Sequence, residues 1–157
     1  MRDEIGLSAP GSLCRTGGSP VMSLAIPNTK AGIVMAVAWL QEQCGRAEIP
    51  DVLWDAMRLC IEETLTNIVS YADADGSGVE IEIRLSSEGD VHRLEVVDTG
   101  VAFDPLGVEL DDPVEDLDSL CPGGQGIHLI RNFSTDCAYA RVGATNQLTL
   151  SFTPETE

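Results

Sequence analysis

Positive charge is scarce in this chain: 9 lysines and arginines stand against 26 aspartates and glutamates, a formal net charge of −17 over 157 residues. A nucleic-acid backbone requires a basic face, so such a partner is disfavoured, and an anionic membrane surface with it. Histidine is almost absent. His92 and His128 lie far apart with different neighbours, and no metal motif built on histidine is present. Cys14, Cys44, Cys60, Cys121 and Cys137 are odd in number and none stand at CxxC spacing. That argues against a zinc site or a disulfide framework and for reduced thiols. Long apolar runs are missing too: the longest uncharged helical stretch, Ala31 to Gln41, is about half of what crosses a bilayer. Met1-Arg2-Asp3-Glu4 carries acids and leads into no long apolar region, so a signal peptide is not expected. The expectation is a soluble, cytoplasmic protein.

What is present suits one core. The chain is 43% hydrophobic and 22% charged, at a length typical of a single domain. Residues 1–20, with four Gly, two Pro and three Ser, read as a mobile tail; 21–152 read as the domain and 153–157 as a C-terminal tail. Val21 to Ile26 is a strand candidate closed by Pro27. Asn28 or Thr29 caps a helix from about Lys30 to Cys44, ended by Gly45. Asp51 is the expected N-cap of a second helix over 52–72, in which Leu53, Met57, Cys60, Ile61, Ile68 and Ala72 recur at three and four residues. Val79 to Leu85 and Val91 to Val97 alternate apolar and charged residues, joined by a hairpin over Ser86 to Asp90. A loop follows from Asp104 to Asp118 with seven acids and no base, then a helix over 126–133 and strands over 136–142 and 147–152. This order predicts an α+β fold, a two-layer α/β sandwich whose mixed, mainly antiparallel sheet carries helices on one face.

Three clusters carry chemistry. Glu63 and Asn67 are one helical turn apart, on a flank of the apolar arc centred on Met57, Thr64 and Ile68. At that core boundary a carboxylate can act as general base and an amide can coordinate a hard cation. Val96-Val97-Asp98-Thr99-Gly100 ends a strand on an acid, with a glycine two residues on that frees the backbone to turn. A buried acid there can accept a hydrogen bond from an exocyclic amine. Gly123-Gly124-Gln125-Gly126 precedes an apolar helix, so successive N–H groups can converge on an anion despite the acidic whole. Each cluster alone is weak; an ordinary amphipathic helix, a capped turn and a flexible loop would explain them singly. In order within one domain they supply a metal ligand, a base acceptor and a phosphate cradle, once each.

These clusters resemble the N, G1 and G2 boxes of the GHKL (Bergerat-fold, histidine-kinase-like) ATPase superfamily. The phrase Asp98 to Pro105 and the run Gly-Gly-Gln-Gly-Ile-His-Leu-Ile-Arg from Gly123 to Arg131 resemble its bacterial anti-sigma factor serine/threonine kinases. The resemblance covers about residues 21–152. It implies that Glu63 is the general base and Asn67 the Mg²⁺ ligand in an ATP site. Asp98 would bind the adenine amine, Gly100 would make room for the base, and Gly124 and Gly126, with Gly123 and Gln125 adjacent, would hold the phosphates. It further implies a sigma factor as the silenced partner, a small STAS-type anti-sigma factor antagonist as the phosphoserine acceptor, and a homodimer.

The sequence departs from that pattern at three places. Ser70-Tyr71-Ala72-Asp73 ends the helix where relatives carry a His-Ala-Tyr-like phrase, the expected lid has no base, and Asn146 stands where relatives often carry threonine near the adenine. A second reading follows from the base-free lid: a partner-switching module that keeps a nucleotide and transfers no phosphate. Val34, Val37, Ala38 and Trp39 mark the first helix as a candidate partner surface.

Overall fold

The alternating runs become the centre of a five-stranded sheet. In a computed structural model that describes residues 21–71, 78–107 and 130–154, β2 (Glu80–Glu88) and β3 (Val91–Asp98) pair in antiparallel register from Ile81 opposite Asp98 to Glu88 opposite Val91. The hairpin is tighter than expected. Gly89 and Asp90 alone form the turn, with Gly89 at φ 61°, so Ser86 to Glu88 belong to the strand. β1 (Met22–Pro27) adds to β2, β5 (Thr145–Phe152) to β3, and β4 (Asp136–Val142) to β5, giving the order β1-β2-β3-β5-β4. Every pairing among the described residues is antiparallel, where a mixed, mainly antiparallel sheet was expected.

Period-two burial fixes which face is covered. Ile26, Ile81, Ile83, Leu85, Leu94, Val96, Leu148, Leu150 and Phe152 point into the core. The opposite face carries Glu82, Arg84 and Glu95, and the Arg84 guanidinium bridges both carboxylates at 2.9 Å. Against the core face lie α1 (Lys30–Arg46) and α2 (Asp51–Tyr71). α2 contributes Met57, Cys60, Ile61 and Leu65, all fully buried, and α1 contributes Ala36 and Leu40. Trp39 and Trp54 pack against the margin of this core. Burial pushes the thiols of Cys44 and Cys60 up to about 11 and about 12, so both stay protonated at neutral pH.

Local chemistry sets the helix ends. Thr29, one of the two expected caps, accepts from Gly32 N–H through its hydroxyl at 3.1 Å. Gly32 is required there: a Cβ would lie 2.1 Å from the Pro27 carbonyl oxygen, where α1 presses on the end of β1. Gly45 does not end the helix. It lies inside α1, and the chain closes with Glu48 at φ 55°, Glu48 N–H bonding Gly45 O and Ile49 N–H bonding Cys44 O. This is a Schellman closure with glutamate in the left-handed position usually given to glycine, anchored by buried Ile49. At α2 the Pro50 carbonyl accepts the first bonds, from Leu53 and Trp54, and Asp51 lies in the first turn instead of capping it.

His92 is buried at the far end of β3, its Nδ1 2.7 Å from Ser87 Oγ. Burial lowers its pKa, opposed in part by Asp90. Residues 130–133 are helical, the described part of the expected third helix. The N-terminal tail and residues 123–126 lie outside the described residues. Among the described residues no helix is long and apolar enough to cross a membrane.

Candidate functional site

Register brings two distant polar residues side by side. β3 and β5 pair with Asp98 opposite Asn146, and β5 and β4 pair with Asn146 opposite Arg141. One row across the core face therefore reads Asp98, Asn146, Arg141, and the next reads Val96, Leu148, Tyr139. Strand β5 begins at Thr145, two residues earlier than the expected 147, and this puts Asn146 into the ladder. All residues of these two rows but Arg141 floor a cavity of about 280 Å³, near the low end of small-molecule sites, roughly 300–1,000 Å³. Thr64, Asn67 and Ile68 of α2 form one wall; Val101 to Phe103, Pro105 and Ile130 form the other.

Most of the lining is apolar, with a few polar groups among it. Asp98 is 5% exposed, and its Oδ1 accepts from Gly100 N–H at 2.8 Å and from Asn146 Nδ2 at 3.0 Å. Thr64 is 6% exposed and lines the same cavity, yet its hydroxyl finds no hydrogen-bond partner among the described residues. An orphaned hydroxyl in the cavity wall fits a ligand that brings its own polar groups. Asn67 reaches the cavity from the same helix face, one turn along. Glu63 is half-buried and does not line the cavity; it sits one turn before Asn67, on the flank of the arc. Among the described residues no three His, Cys, Asp or Glu side chains gather to hold a metal. Asn67 can supply one hard oxygen, and a magnesium ion there would take its remaining ligands from phosphates and water, as that ion usually does.

Two arginines hold the chain between Gly100 and Leu106 from outside. Arg141 donates to the Gly100 carbonyl at 2.9 Å, and Arg131 donates to the Leu106 carbonyl. Asp104 caps the short 3-10 turn Pro105–Gly107 by accepting from Leu106 N–H at 2.8 Å. Of the expected site residues, Asn67 and Asp98 line the cavity; Gly100 does not, but its N–H holds the Asp98 carboxylate, and Glu63 lies one turn before Asn67 on α2. Gly123, Gly124, Gln125 and Gly126 lie outside the described residues. Thr64 and Tyr139 were not foreseen. Thr64 reads as a core position by periodicity, and Tyr139 reaches the site only through pairing with Leu148.

An acid at the floor, an amide on the facing helix and an apolar slot between them is the geometry expected of a nucleotide-binding domain. Comparison decides the family: residues 26–152 match the family described as the histidine kinase-like ATPase domain. The chain belongs to that family. It is 33% identical over 116 residues to the serine/threonine-protein kinase BtrW of Bordetella bronchiseptica, covering 74% of this chain and 82% of that one. Its fold is similar to the crystal structure of the RsbU and RsbW domains of Rv1364c from Mycobacterium tuberculosis. The TM-score is 0.62 at 14% identity over 86% of this chain, which spans 32% of that longer one. The family resemblance carried by Glu63, Asn67, Asp98 and the glycine run, and the two-layer fold expected from the element order, are both borne out.

Proposed function

We propose that this histidine kinase-like domain is an ATP-dependent protein serine kinase acting as a cytoplasmic anti-sigma factor. In this reading it silences a sigma factor and phosphorylates a serine on a small STAS-type antagonist, as a homodimer. The observation that carries the reading is the pairing of Asp98 and Asn67 across one apolar cavity, in a chain 33% identical to a protein named as a serine/threonine kinase.

The residues divide the work as follows. Asp98, fixed by Gly100, accepts from the exocyclic amine of adenine, and the apolar rows beneath it exclude water. Asn67 would hold Mg²⁺, which when bound neutralises phosphate charge and orients the phosphate chain. Gly124 and Gly126, with Gly123 and Gln125, would supply backbone N–H groups to the phosphates, the role the family resemblance implies for them. Glu63, one turn from Asn67, accepts the proton of the substrate serine as its hydroxyl attacks the γ-phosphorus and ADP leaves. Phosphoryl transfer asks of a protein mainly positioning and charge neutralisation, which this set provides. The face of α1 that would meet a protein partner carries Val34, 70% exposed, with Val37 and Ala38 one turn on; Trp39, the fourth residue expected there, is half-buried and packs against the core.

One observation favours a second reading, a nucleotide-binding module that sequesters a partner without transferring phosphate. The lid from Asp104 to Asp118 has seven acids and no base, and Arg131 donates to the Leu106 carbonyl. The deciding experiment is transfer of labelled γ-phosphate from Mg-ATP to a STAS-type antagonist, in wild type and Glu63→Ala. Transfer that Glu63→Ala abolishes while ATP still binds supports the kinase. ATP binding with no transfer in either protein supports the module.

A further inference from the structure

The side chain of Asn146 has spent its whole hydrogen-bonding capacity. Nδ2 donates to Asp98 Oδ1 at 3.0 Å and to the Val101 carbonyl at 2.9 Å. Oδ1 accepts from Phe103 N–H at 3.2 Å and from the Tyr139 hydroxyl. A primary amide has two N–H donors and two oxygen lone pairs, so all four are used. The orientation of the amide is fixed by its surroundings: a carboxylate and a carbonyl face its nitrogen, and a backbone N–H faces its oxygen. Asn146 is 6% exposed and lines the cavity, yet nothing of it is left to bond a ligand.

We infer that Asn146 is the positioning residue that sets base selectivity, by fixing the Asp98 carboxylate and the 100–103 turn in one arrangement that accepts a 6-amino purine. This rests on the reading of Asp98 as the base acceptor. The rotation of an aspartate carboxylate about its last bond is loosely restrained by itself. Here both bonds from described residues, Gly100 N–H and Asn146 Nδ2, fall on Oδ1, so Oδ2 is the oxygen left to accept from a ligand. The same amide ties Val101 and Phe103, so the wall above the base and the acceptor below it are set by one side chain. With Asn146 removed, Oδ1 keeps a single backbone bond, the carboxylate can turn, and water competes for it.

The test is affinity for Mg-ATP against the triphosphate of purine riboside, which lacks only the 6-amino group, measured by calorimetry on the full chain. A hydrogen bond to a charged acceptor is worth about tenfold or more, so wild type prefers ATP by about that factor. In Asn146→Ala the preference falls below about threefold, the loosened 101–103 wall weakening both nucleotides alike and the freed carboxylate weakening ATP alone. Asn146→Leu, which keeps the branched heavy-atom shape of the side chain on β5, gives the same result if the alanine variant does not fold. A merely structural role for Asn146 would weaken both nucleotides equally and leave their ratio intact; that result overturns the proposal and leaves the reading of Asp98 standing. Equal affinity of wild type for the two nucleotides, or no binding of either, overturns both.

Discussion

Replacing Thr64 by valine separates what the site costs the protein from what it does for a ligand. The hydroxyl of Thr64 is buried in the cavity wall without a partner among the described residues, and has not even bonded back to its own helix. A buried, unsatisfied hydroxyl costs about 1–3 kcal/mol, and valine replaces it with a methyl group of the same shape. The nucleotide-free variant is therefore more stable than wild type by about 2 kcal/mol. At about 2–4 °C per kcal/mol for a domain of this size, its melting temperature rises by about 4–8 °C. If the hydroxyl serves the nucleotide, the variant also loses about 0.5–1.5 kcal/mol of ATP binding, an affinity lower by about two- to tenfold. The two effects have opposite signs, so thermal unfolding with and without saturating Mg-ATP reads both in one experiment. A nucleotide-free variant less stable than wild type, or one with undiminished ATP affinity, would refute the reasoning.

Two further predictions concern the scaffold. Gly32→Ala and Gly45→Ala lie in one helix and should act in opposite directions. The new methyl at position 32 would meet the Pro27 carbonyl at 2.1 Å, whereas nothing lies within 4 Å at position 45. The first should lose about 1–3 kcal/mol to overpacking and the second gain up to about 1 kcal/mol in helix propensity, read as urea midpoints. Stabilisation by both would mean that α1 does not press on β1. His92 is held below its ordinary 6.5 by burial. As pH falls through 6.5 the unfolded chain binds a proton that the native state does not. Its contribution is thus present above that pH and is lost on acidification, by up to about 1.4 kcal/mol per pH unit. The stability gap between wild type and His92→Gln should narrow from pH 7.5 to pH 5. A gap independent of pH would mean that His92 titrates alike in both states.

Local signals in the sequence carried the elements, and pairing carried the site. The alternation in β2 and β3 is a property of a few adjacent residues, and so is the period in α2 that put Glu63 and Asn67 at the core boundary. Asp98 was legible because a strand ending on an acid before glycine is a local phrase. No local phrase gives its partner: the family resemblance set Asn146 near the adenine, but it lies 48 residues away, and its bond to Asp98 follows only from the β3–β5 register. Thr64 was hidden by its own periodicity, since a threonine in an apolar arc looks like core until the cavity beside it is known. Gly45 misled because glycine usually stands just past a helix end, whereas here Glu48 adopts the left-handed turn and buried Ile49 holds it. The choice between Asn28 and Thr29 as cap was settled only by the hydroxyl that meets Gly32 N–H.

Titration of ATP into wild type and Asn67→Ala, with and without Mg²⁺, tests the central claim most directly. Micromolar binding that requires Mg²⁺ and weakens at least about tenfold in Asn67→Ala is the predicted result. Absence of binding to wild type, or binding indifferent to both Mg²⁺ and Asn67, would contradict the assignment of this cavity as a Mg-ATP site.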